Sequence, residues 1–349
     1  MRYDYLIVGQ GLAGSTLAYN LIKIGKTVLV YDEEKENSSS KLAAGIINPV
    51  TGRRFVKSWK FDAFFEKAKS YYTEFERENG VSIFHDLNIY RALFSHEEQH
   101  DFLAKLENES YAKYLNEIKT SPELSKSFKK STAWISVKGA RLDFNPYLVA
   151  VKNKLLAFNS YRSEYFDTSI LKKQKNNWVY DSDEFDKVVY CEGFKMKKNP
   201  FFKDLPTVPA KGDLLIVKIP DLQADKIYKH KCFLVPLLEP QTFWVGATYE
   251  WDFKDELPSD IKRQILVEKL DASLHLPYEI ISHKAAVRPT GKDRRPYLGA
   301  AKNEENLYLF NSFGTKGGSL IPYWTEKMID FMEDGVALDN EVNIERLKE

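Results

Sequence analysis

Two short apolar runs with a helical pattern between them open the chain. Residues 5–8 form an apolar run that ends at a glycine, residues 17–24 have the spacing of an apolar helix face, and residues 27–31 form a second apolar run. Continuous apolar runs of this length are typical of strands in a parallel sheet that is covered on both faces. The pattern therefore predicts a β-α-β unit at the start of the chain.

Helical spacing returns in three later segments. Residues 62–79 place apolar side chains on one helix face, a second helix is predicted from Glu97 to about Leu115, and a third from about Pro322 to Met332. Residues 121–131 are polar and rich in lysine, which indicates a connection at the surface.

Short strand-like segments occupy the middle of the chain. Apolar segments at 178–180 and 188–190 are followed by a group at 214–217, 233–236 and 243–246. The alternation within this group predicts antiparallel strands of a second sheet. A last apolar run at 307–310 leads into a glycine-rich turn before the C-terminal helix.

Composition and charge mainly exclude classes of protein. A chain of 349 residues has room for two packed domains or one large α/β unit. Lys and Arg number 51 against 50 for Asp and Glu, so the net charge of +1 provides no general attraction to nucleic acid or an anionic membrane. With two cysteines, no long apolar stretch and no signal peptide, the sequence leads us to expect a cytoplasmic protein without membrane contact.

The glycines after the first strand carry the main chemical signal. Gly9 permits a tight turn, Gly11 lets the backbone approach a pyrophosphate, and Gly14 lets the helix pack against the sheet. Asp32, at the end of the second strand, is placed to accept a hydrogen bond from a ribose hydroxyl. We predict a dinucleotide site; the alternative is a tight turn in an α/β protein that binds nothing. The acid at Asp32 disfavours NADP and leaves FAD and NAD open.

Several stretches in chain order resemble one family, the FAD oxidoreductases that include D-amino-acid oxidase, glycine oxidase and sarcosine oxidase. These stretches are residues 40–45, 139–146, 188–193, 211–215, 245–248, 287–289, 295–299 and 314–317. The resemblance implies FAD held without a covalent bond, because no histidine or cysteine lies at the family's attachment positions. It also implies oxidation of the C–N bond of an amino acid or secondary amine by hydride transfer to flavin N5.

The family's fold would be mixed α/β, with a Rossmann-type, parallel-sheet FAD-binding domain and an antiparallel-sheet substrate domain. We expect residues 1–80, 138–206 and 286–349 in the first domain and residues 81–137 and 207–285 in the second. The residues that the glycine motif and the resemblance assign to FAD are Gly9, Gly11, Leu12, Ala13, Gly14, Asp32, Glu33, Ser40, Lys41, Ala44, Gly45, Gly193, Gly314, Thr315, Lys316 and Gly317.

Two alternative functions stay open at this stage. The turn at 314–317 with Pro322, and Gly45 with Pro49, also resemble the flavin domain of the bifunctional enzyme of tRNA methylaminomethyl-thiouridine biosynthesis. Modification of a wobble-uridine side chain in tRNA is therefore an alternative, although we do not favour tRNA as a partner over a small amine or amino acid. An NAD-dependent dehydrogenase is the other.

Arg288 is the residue expected to bind substrate. Members of the family hold an amino-acid carboxylate with an arginine that precedes a proline at this point, and a guanidinium can donate two parallel hydrogen bonds to a carboxylate. The alternative is a structural arginine paired with an acid such as Asp293. Glycine and D-amino-acid oxidases add a tyrosine hydroxyl where this chain has Phe233, which favours a bulkier amine.

The sequence gives less support for a functional role of the other charged residues. Lys316 is expected beside the flavin ring, where a cation would stabilise the reduced form, whereas Arg53 and Arg54 are more simply exposed. His96 and His100 match the H-E-x-x-H pattern, but their polar neighbours predict an exposed helix without a metal. The lysines at 172–175 and 195–198 are interpreted as solvated loops.

Overall fold

The fold is built from two large sheets, and the computed structural model describes it for residues 1–118 and 122–347. The helices in these ranges are α1 (Leu12–Lys23), α2 (Ser39–Leu42), α3 (Phe61–Asn79), α4 (His96–Leu106), α5 (Glu109–Ala112), α6 (Pro122–Ser127), α7 (Phe144–Ala157), α8 (Asp260–Asp271) and α9 (Gly317–Asp334). Short 3-10 helices lie at Thr168–Ile170, Gly193–Lys198 and Ile344–Leu347.

The strands in the same ranges are β1 (Arg2–Val8), β2 (Val28–Tyr31), β3 (Ile46–Ile47), β4 (Val50–Thr51), β5 (Val56–Lys57), β6 (Phe84–Asp86), β7 (Ile89–Leu93), β8 (Leu115–Ile118), β9 (Ala133–Val137), β10 (Ala140–Leu142), β11 (Tyr161–Arg162), β12 (Lys172–Gln174), β13 (Asn177–Tyr180), β14 (Asp183–Tyr190), β15 (Ala210–Lys218), β16 (Ile227–Lys229), β17 (Phe233–Pro236), β18 (Thr242–Gly246), β19 (Glu279–Arg288), β20 (Tyr297–Ala300) and β21 (Leu307–Asn311).

The first sheet has a parallel centre. β11, β2, β1, β14 and β21 pair in parallel in that order, and the β12–β13 hairpin and β20 extend the sheet in antiparallel fashion. All four residues of β2 are buried because α1, α3, α7 and α9 cover one face and the aromatic cluster around Tyr190 covers the other. The predicted β-α-β opening is confirmed.

The second sheet is antiparallel except for one pair. Its strand order is β19-β15-β18-β17-β16-β7-β9-β8, and only β16 and β7 run parallel among the described pairs. One face packs against α8, and the other packs against the segment around Val50 and Phe55. The mixed α/β fold class with a parallel and an antiparallel sheet is thus confirmed. A third, smaller sheet joins β3, β10 and β6.

Three element boundaries differ from those that the sequence pattern predicts. The second helix ends at Leu106, because Asn108 caps the separate short helix α5 and Leu115 already pairs with Val137 in a strand. The C-terminal helix begins at Gly317, more than a turn before Pro322, and α1 begins at Leu12. These starts belong to glycine turns and carry no apolar periodicity of their own.

The lysine-rich connection at 121–131 is more structured than expected. Ser121 lies outside the described residues, but Pro122–Ser127 is helical, and Leu124 and Phe128 are buried. The Phe128 ring stands 5.1 Å from that of Trp134, centroid to centroid. This segment is therefore anchored to the second sheet.

No helix in the described ranges combines the length and the apolar character that crossing a membrane requires.

Candidate functional site

A cleft of about 540 Å³ runs between the two large sheets. Its walls come from the β1–α1 turn, the ends of β2 and β14, the segment from Asn37 to Ile46, the inner face of the second sheet, and the turn before α9. Every residue predicted to bind FAD or substrate lines this cleft except Gly14. The structure thus brings together side chains that are separated by up to three hundred positions in the chain.

The β1–α1 turn is possible only because two of its residues lack a Cβ. Gly9 has φ +102°, and a Cβ there would lie 2.7 Å from the carbonyl oxygen of Cys191. A Cβ on Gly14 would lie 1.8 Å from the carbonyl oxygen of Gly9. Gly14 therefore acts behind the cleft wall, where it lets the first turn of α1 pack against the strand end, as its place in the motif predicted.

The start of α1 presents unused backbone donors to the cleft. The Leu12 N–H donates to Ser40 Oγ over 3.0 Å, whereas the N–H groups of Gly11, Ala13 and Gly14 have no acceptor among the described residues. Free N–H groups at a helix N-terminus, together with the helix dipole, favour a phosphate anion. The turn therefore fits a pyrophosphate group.

Asp32 lies at the adjacent strand end and is held in place by the backbone. One carboxylate oxygen accepts the Gln10 N–H over 2.7 Å, and the other accepts the Glu34 N–H over 2.7 Å. Each oxygen keeps a lone pair for a further donor, so the carboxylate fits a ribose hydroxyl. Glu33, the neighbouring candidate, forms an ion pair with Lys195 across the cleft.

The segment from Ser40 to Gly45 is supported from beneath by β10. Gly45 has φ +72°, and a Cβ there would lie 1.9 Å from the carbonyl oxygen of Leu142, whose N–H donates to the Gly45 carbonyl over 2.9 Å. From the second sheet, the Trp244 indole N–H donates to the carbonyl oxygen of Leu42 over 2.9 Å. These contacts fix the wall that includes Lys41 and Ala44.

The turn before α9 forms a second helix N-terminus on the cleft. Gly314, Thr315, Lys316 and Gly317 all line it, and the Lys316 ammonium donates to Ser58 Oγ over 3.1 Å. Burial lowers the pKa of Lys316, and the nearby Arg295 lowers it further. No described carboxylate pairs with this ammonium. The turn therefore combines a helix dipole with a side-chain cation.

Arg288 ends β19 and directs its guanidinium into the cleft. Its Nη1 reaches the carbonyl oxygens of Thr248 at 3.3 Å and Ala210 at 3.5 Å, and its Cζ lies 4.3 Å from the centroid of the Tyr249 ring. Burial lowers the pKa of Arg288. It forms no ion pair within the described residues, and Asp293 pairs instead with Arg346 at 2.8 Å. The guanidinium is thus free to bind an anion.

Several residues of the cleft were given no role of their own by the sequence. A Cβ on Gly212 would lie 2.2 Å from Arg288 Nη2, so this glycine creates the space for the guanidinium. Lys195 lines the cleft, which corrects its interpretation as part of a solvated loop, whereas Lys197 and Lys198 are exposed as expected. Glu192 lies in the same wall, and burial raises its pKa to about 7. Lys229 also lines the cleft.

The remaining candidates lie elsewhere. Arg53 and Arg54 are exposed in the turn between β4 and β5, outside the cleft. His96 and His100 are exposed at the start of α4, and no group of three or more potential metal ligands is found in the parts of the chain that are described. The Lys172–Gln174 strand is exposed.

The glycine turn, the free N–H groups and Asp32, at the ends of adjacent parallel strands, define a dinucleotide-binding protein. The chain belongs to the family of FAD-dependent oxidoreductases (DAO), whose family model matches residues 4–325. This membership decides between FAD and NAD in favour of FAD.

Solved structures with the same fold cover almost the whole chain. Glycine oxidase from Bacillus cereus ATCC 14579 has a TM-score of 0.80 at 19% identity, covering 97% of this chain and 96% of its own. Iminodiacetate oxidase from Chelativorans sp. BNC1 has a TM-score of 0.77 at 17% identity, covering 98% of both chains. L-α-glycerophosphate oxidase from Mycoplasma pneumoniae, solved with FAD bound, has a TM-score of 0.75 at 14% identity, covering 95% of both chains.

One curated relative matches over a short stretch. The uncharacterized oxidoreductase YurR of Bacillus subtilis (strain 168) is 38% identical over 56 residues, which are 16% of this chain and 15% of that protein. The match therefore covers well under two thirds of the relative's length.

Proposed function

We propose that this enzyme oxidises the C–N bond of an amine that carries a carboxylate, with noncovalently bound FAD as the acceptor. The observation that carries the proposal is the Arg288 guanidinium, which is half-buried in the cleft and has two carbonyl contacts but no described carboxylate partner. A desolvated, unpaired cation favours an anionic ligand. The similarity to glycine oxidase and iminodiacetate oxidase supports an amine that carries such a group.

The residues of the cleft fit FAD in two places. We propose that the N–H groups of Gly11 and Ala13 hold the pyrophosphate, that Asp32 holds a ribose, and that the turn at Gly314–Gly317 with Lys316 favours negative charge on the flavin. When bound, FAD supplies an acceptor for a hydride from carbon.

The protein's own part in the reaction is orientation and electrostatics. Arg288 fixes the substrate carboxylate and thereby the carbon next to it, which lowers the entropic cost of the reaction. The cations Arg288 and Lys316 beside the cleft disfavour a protonated amine. We therefore propose that the substrate enters as the neutral amine, which is the form that can lose hydride.

Noncovalent attachment is supported by the position of the cysteines. Cys191 lies against the cleft, but its side chain packs behind the glycine turn. A Cβ added to Gly14 would lie 3.3 Å from the Cβ of Cys191. Burial raises the pKa of the Cys191 thiol, so the thiolate is disfavoured. Cys191 and Cys232 are both unpaired and buried, which also supports our proposal of a cytoplasmic location.

Two measurements on the purified protein test this function. Acid precipitation is expected to release yellow FAD into the supernatant, and flavin that stays with the precipitate would refute noncovalent binding. Under anaerobic conditions, amines that carry a carboxylate should bleach the bound flavin, whereas the matching amides should not. Bleaching by 2-hydroxy acids or polyol phosphates alone would contradict C–N oxidation.

A further inference from the structure

Lys229 is a cation of the cleft that the proposed chemistry does not use. It ends β16 and pairs in register with Phe233 of β17. Its side chain shares a sheet face with that of Ile227, which packs in the cluster of Leu214 and Trp244 on the cleft side. Its ammonium lies 4.7 Å from the centroid of the Phe233 ring.

The surroundings of Lys229 give its charge no carboxylate. No ion pair of Lys229 is found within residues 1–118 and 122–347, and the residue beside it across the sheet is Arg91. The Arg91 guanidinium donates to the Gly52 carbonyl over 2.9 Å and packs 4.2 Å from the Phe55 ring centroid, so it places a further positive charge near Lys229. Burial lowers the pKa of Lys229, and the desolvated ammonium is therefore costly without an anion.

Lys229 and Arg288 lie at opposite ends of the substrate wall. Three strands, β17, β18 and β15, separate β16 from β19, so at about 4.8 Å per strand the two strands are roughly 19 Å apart. The residue of β19 that is level with Lys229, when the strand pairing is followed across the sheet, is Lys284. It lies four residues before Arg288. A substrate that contacts both cations must therefore extend along the wall between these strands.

We propose that Lys229 binds a second anionic group of the substrate, remote from the carboxylate at Arg288. The substrate is then an elongated secondary amine with an acid group at each end. This inference rests on the proposed function, because it assumes that Arg288 binds the first carboxylate. The apolar Phe233 ring between the two cations suits the hydrocarbon chain that joins the two acids.

A length series of secondary amines tests the inference. The probes are N-alkylated glycines, in which a chain of one to six methylenes on the nitrogen ends in a carboxylate, a phosphonate or a neutral amide. Anaerobic flavin reduction at low substrate is expected to be at least tenfold faster for an acid than for its amide once the chain has three or more methylenes. The carboxylate and phosphonate arms identify which acid the site prefers.

Variants of Lys229 test whether this residue causes the preference for acids over amides. Lys229→Gln should abolish the advantage of the acids and leave reduction by the amides unchanged, whereas Lys229→Arg should retain most of it. Lys231→Gln removes an exposed lysine two residues away and should behave as wild type. Unreactive thioether analogues of the acids, titrated by the change in flavin absorbance, should bind at least tenfold more weakly to Lys229→Gln.

Different experimental results would contradict the proposed function and the second anion site. If the amides and acids reduce the wild-type flavin equally, or if Lys229→Gln keeps the advantage of the acids, the second anion site is wrong while the C–N chemistry stands. If none of the amines reduces the flavin, both proposals are wrong. Loss of FAD from Lys229→Gln but not from Lys229→Arg would show that the positive charge of Lys229 binds the cofactor. This result would overturn the inference.

Discussion

The guanidinium of Arg288 has room in the cleft because residue 212 is glycine. Because Arg288 has no carboxylate partner within the described residues and Phe233 has no hydroxyl, Arg288 is expected to make the main contact to the substrate carboxylate. Arg288→Ala should then cost about 2–4 kcal/mol, or roughly thirty- to a thousandfold in flavin reduction at low substrate. Arg288→Lys should recover only part of this loss, because an ammonium cannot donate two parallel bonds in the guanidinium geometry. Stopped-flow reduction measures both variants.

Gly212→Ala provides the control for this prediction. The new methyl group would lie 2.2 Å from Arg288 Nη2, so the flexible end of the side chain must move while the residue keeps its charge. We expect an increase in the apparent KM with normal FAD content. If Arg288→Ala loses FAD or fails to fold, the arginine is structural and the substrate anchor lies elsewhere.

The first helix depends on a single close approach to the strand before it. In Gly14→Ala the Cβ would lie 1.8 Å from the Gly9 carbonyl oxygen, so α1 must shift away from the sheet and withdraw its N–H groups from the cleft. We expect the purified variant to contain little FAD, which the ratio of absorbance at 450 nm and 280 nm measures. Gly25→Ala, which adds a methyl group in open space after the same helix, controls for backbone strain alone. Full FAD content in Gly14→Ala would contradict this account.

The turn between β16 and β17 contains a buried histidine that makes stability depend on pH. His230 packs against Phe94 and Phe128, and burial lowers its pKa to about 4. The unfolded chain takes up this proton near pH 6.5, so between these values the unfolded state binds more protons. The contribution of His230 to the free energy of unfolding is therefore complete above pH 6.5 and falls as the pH decreases to 4.

His230→Gln should reduce this dependence. At pH 4 the stability lost through His230 is about 3 kcal/mol at most. Urea unfolding of both proteins at several pH values measures the difference, with His275→Gln at an exposed position as the matched variant. A wild type and a His230→Gln protein with parallel pH profiles would show that His230 has no such role.

The centres of the helices could be predicted from apolar periodicity, whereas the ends of helices and strands depended on turns and on strand pairing. The pattern predicted α3 within one residue, because its apolar positions recur through 61–79 and Gly80 ends it in a left-handed conformation. The end of α4 was missed by nine residues, since the apolar side chains after Leu106 belong to α5 and to a strand. Periodicity alone does not distinguish these, whereas the pairing of Leu115 with Val137 does.

Across the whole molecule, the cleft is the place where FAD can stabilise the fold. The two sheets meet there through a few polar contacts, such as Trp244 with Leu42 and Lys35 with Glu256 at 3.2 Å. A ligand at one hundred times its Kd adds about 2.7 kcal/mol, and with an unfolding entropy of about 2.1 cal/mol/K per residue the removal of FAD should lower the Tm by roughly 4 °C. Thermal melts of apoprotein and reconstituted protein measure this. Riboflavin, which lacks the pyrophosphate, should restore little of the shift, and equal Tm values with and without FAD would count against the site.

The local sequence by itself determined the nucleotide-binding opening of this protein. A strand, a glycine turn, a helix and a terminal acid follow within thirty-two residues, so their geometry is set by neighbouring residues, and Gly9, Gly14 and Asp32 lie as the motif requires. Resemblance extended this to the family and to Arg288, which has no acidic partner in the part of the chain that the structure describes.

Only the tertiary structure decided what surrounds these residues. The space for Arg288 comes from Gly212, seventy-six positions earlier, and Lys229 enters the cleft because of the register of four strands. Glu33 meets Lys195 across the cleft because β2 and β14, which precede them, both pair with β1 in the first sheet. Such contacts depend on which strands pair and on which face each side chain lies. A shift of one residue in register reverses the face, and no local pattern records the pairing of distant strands.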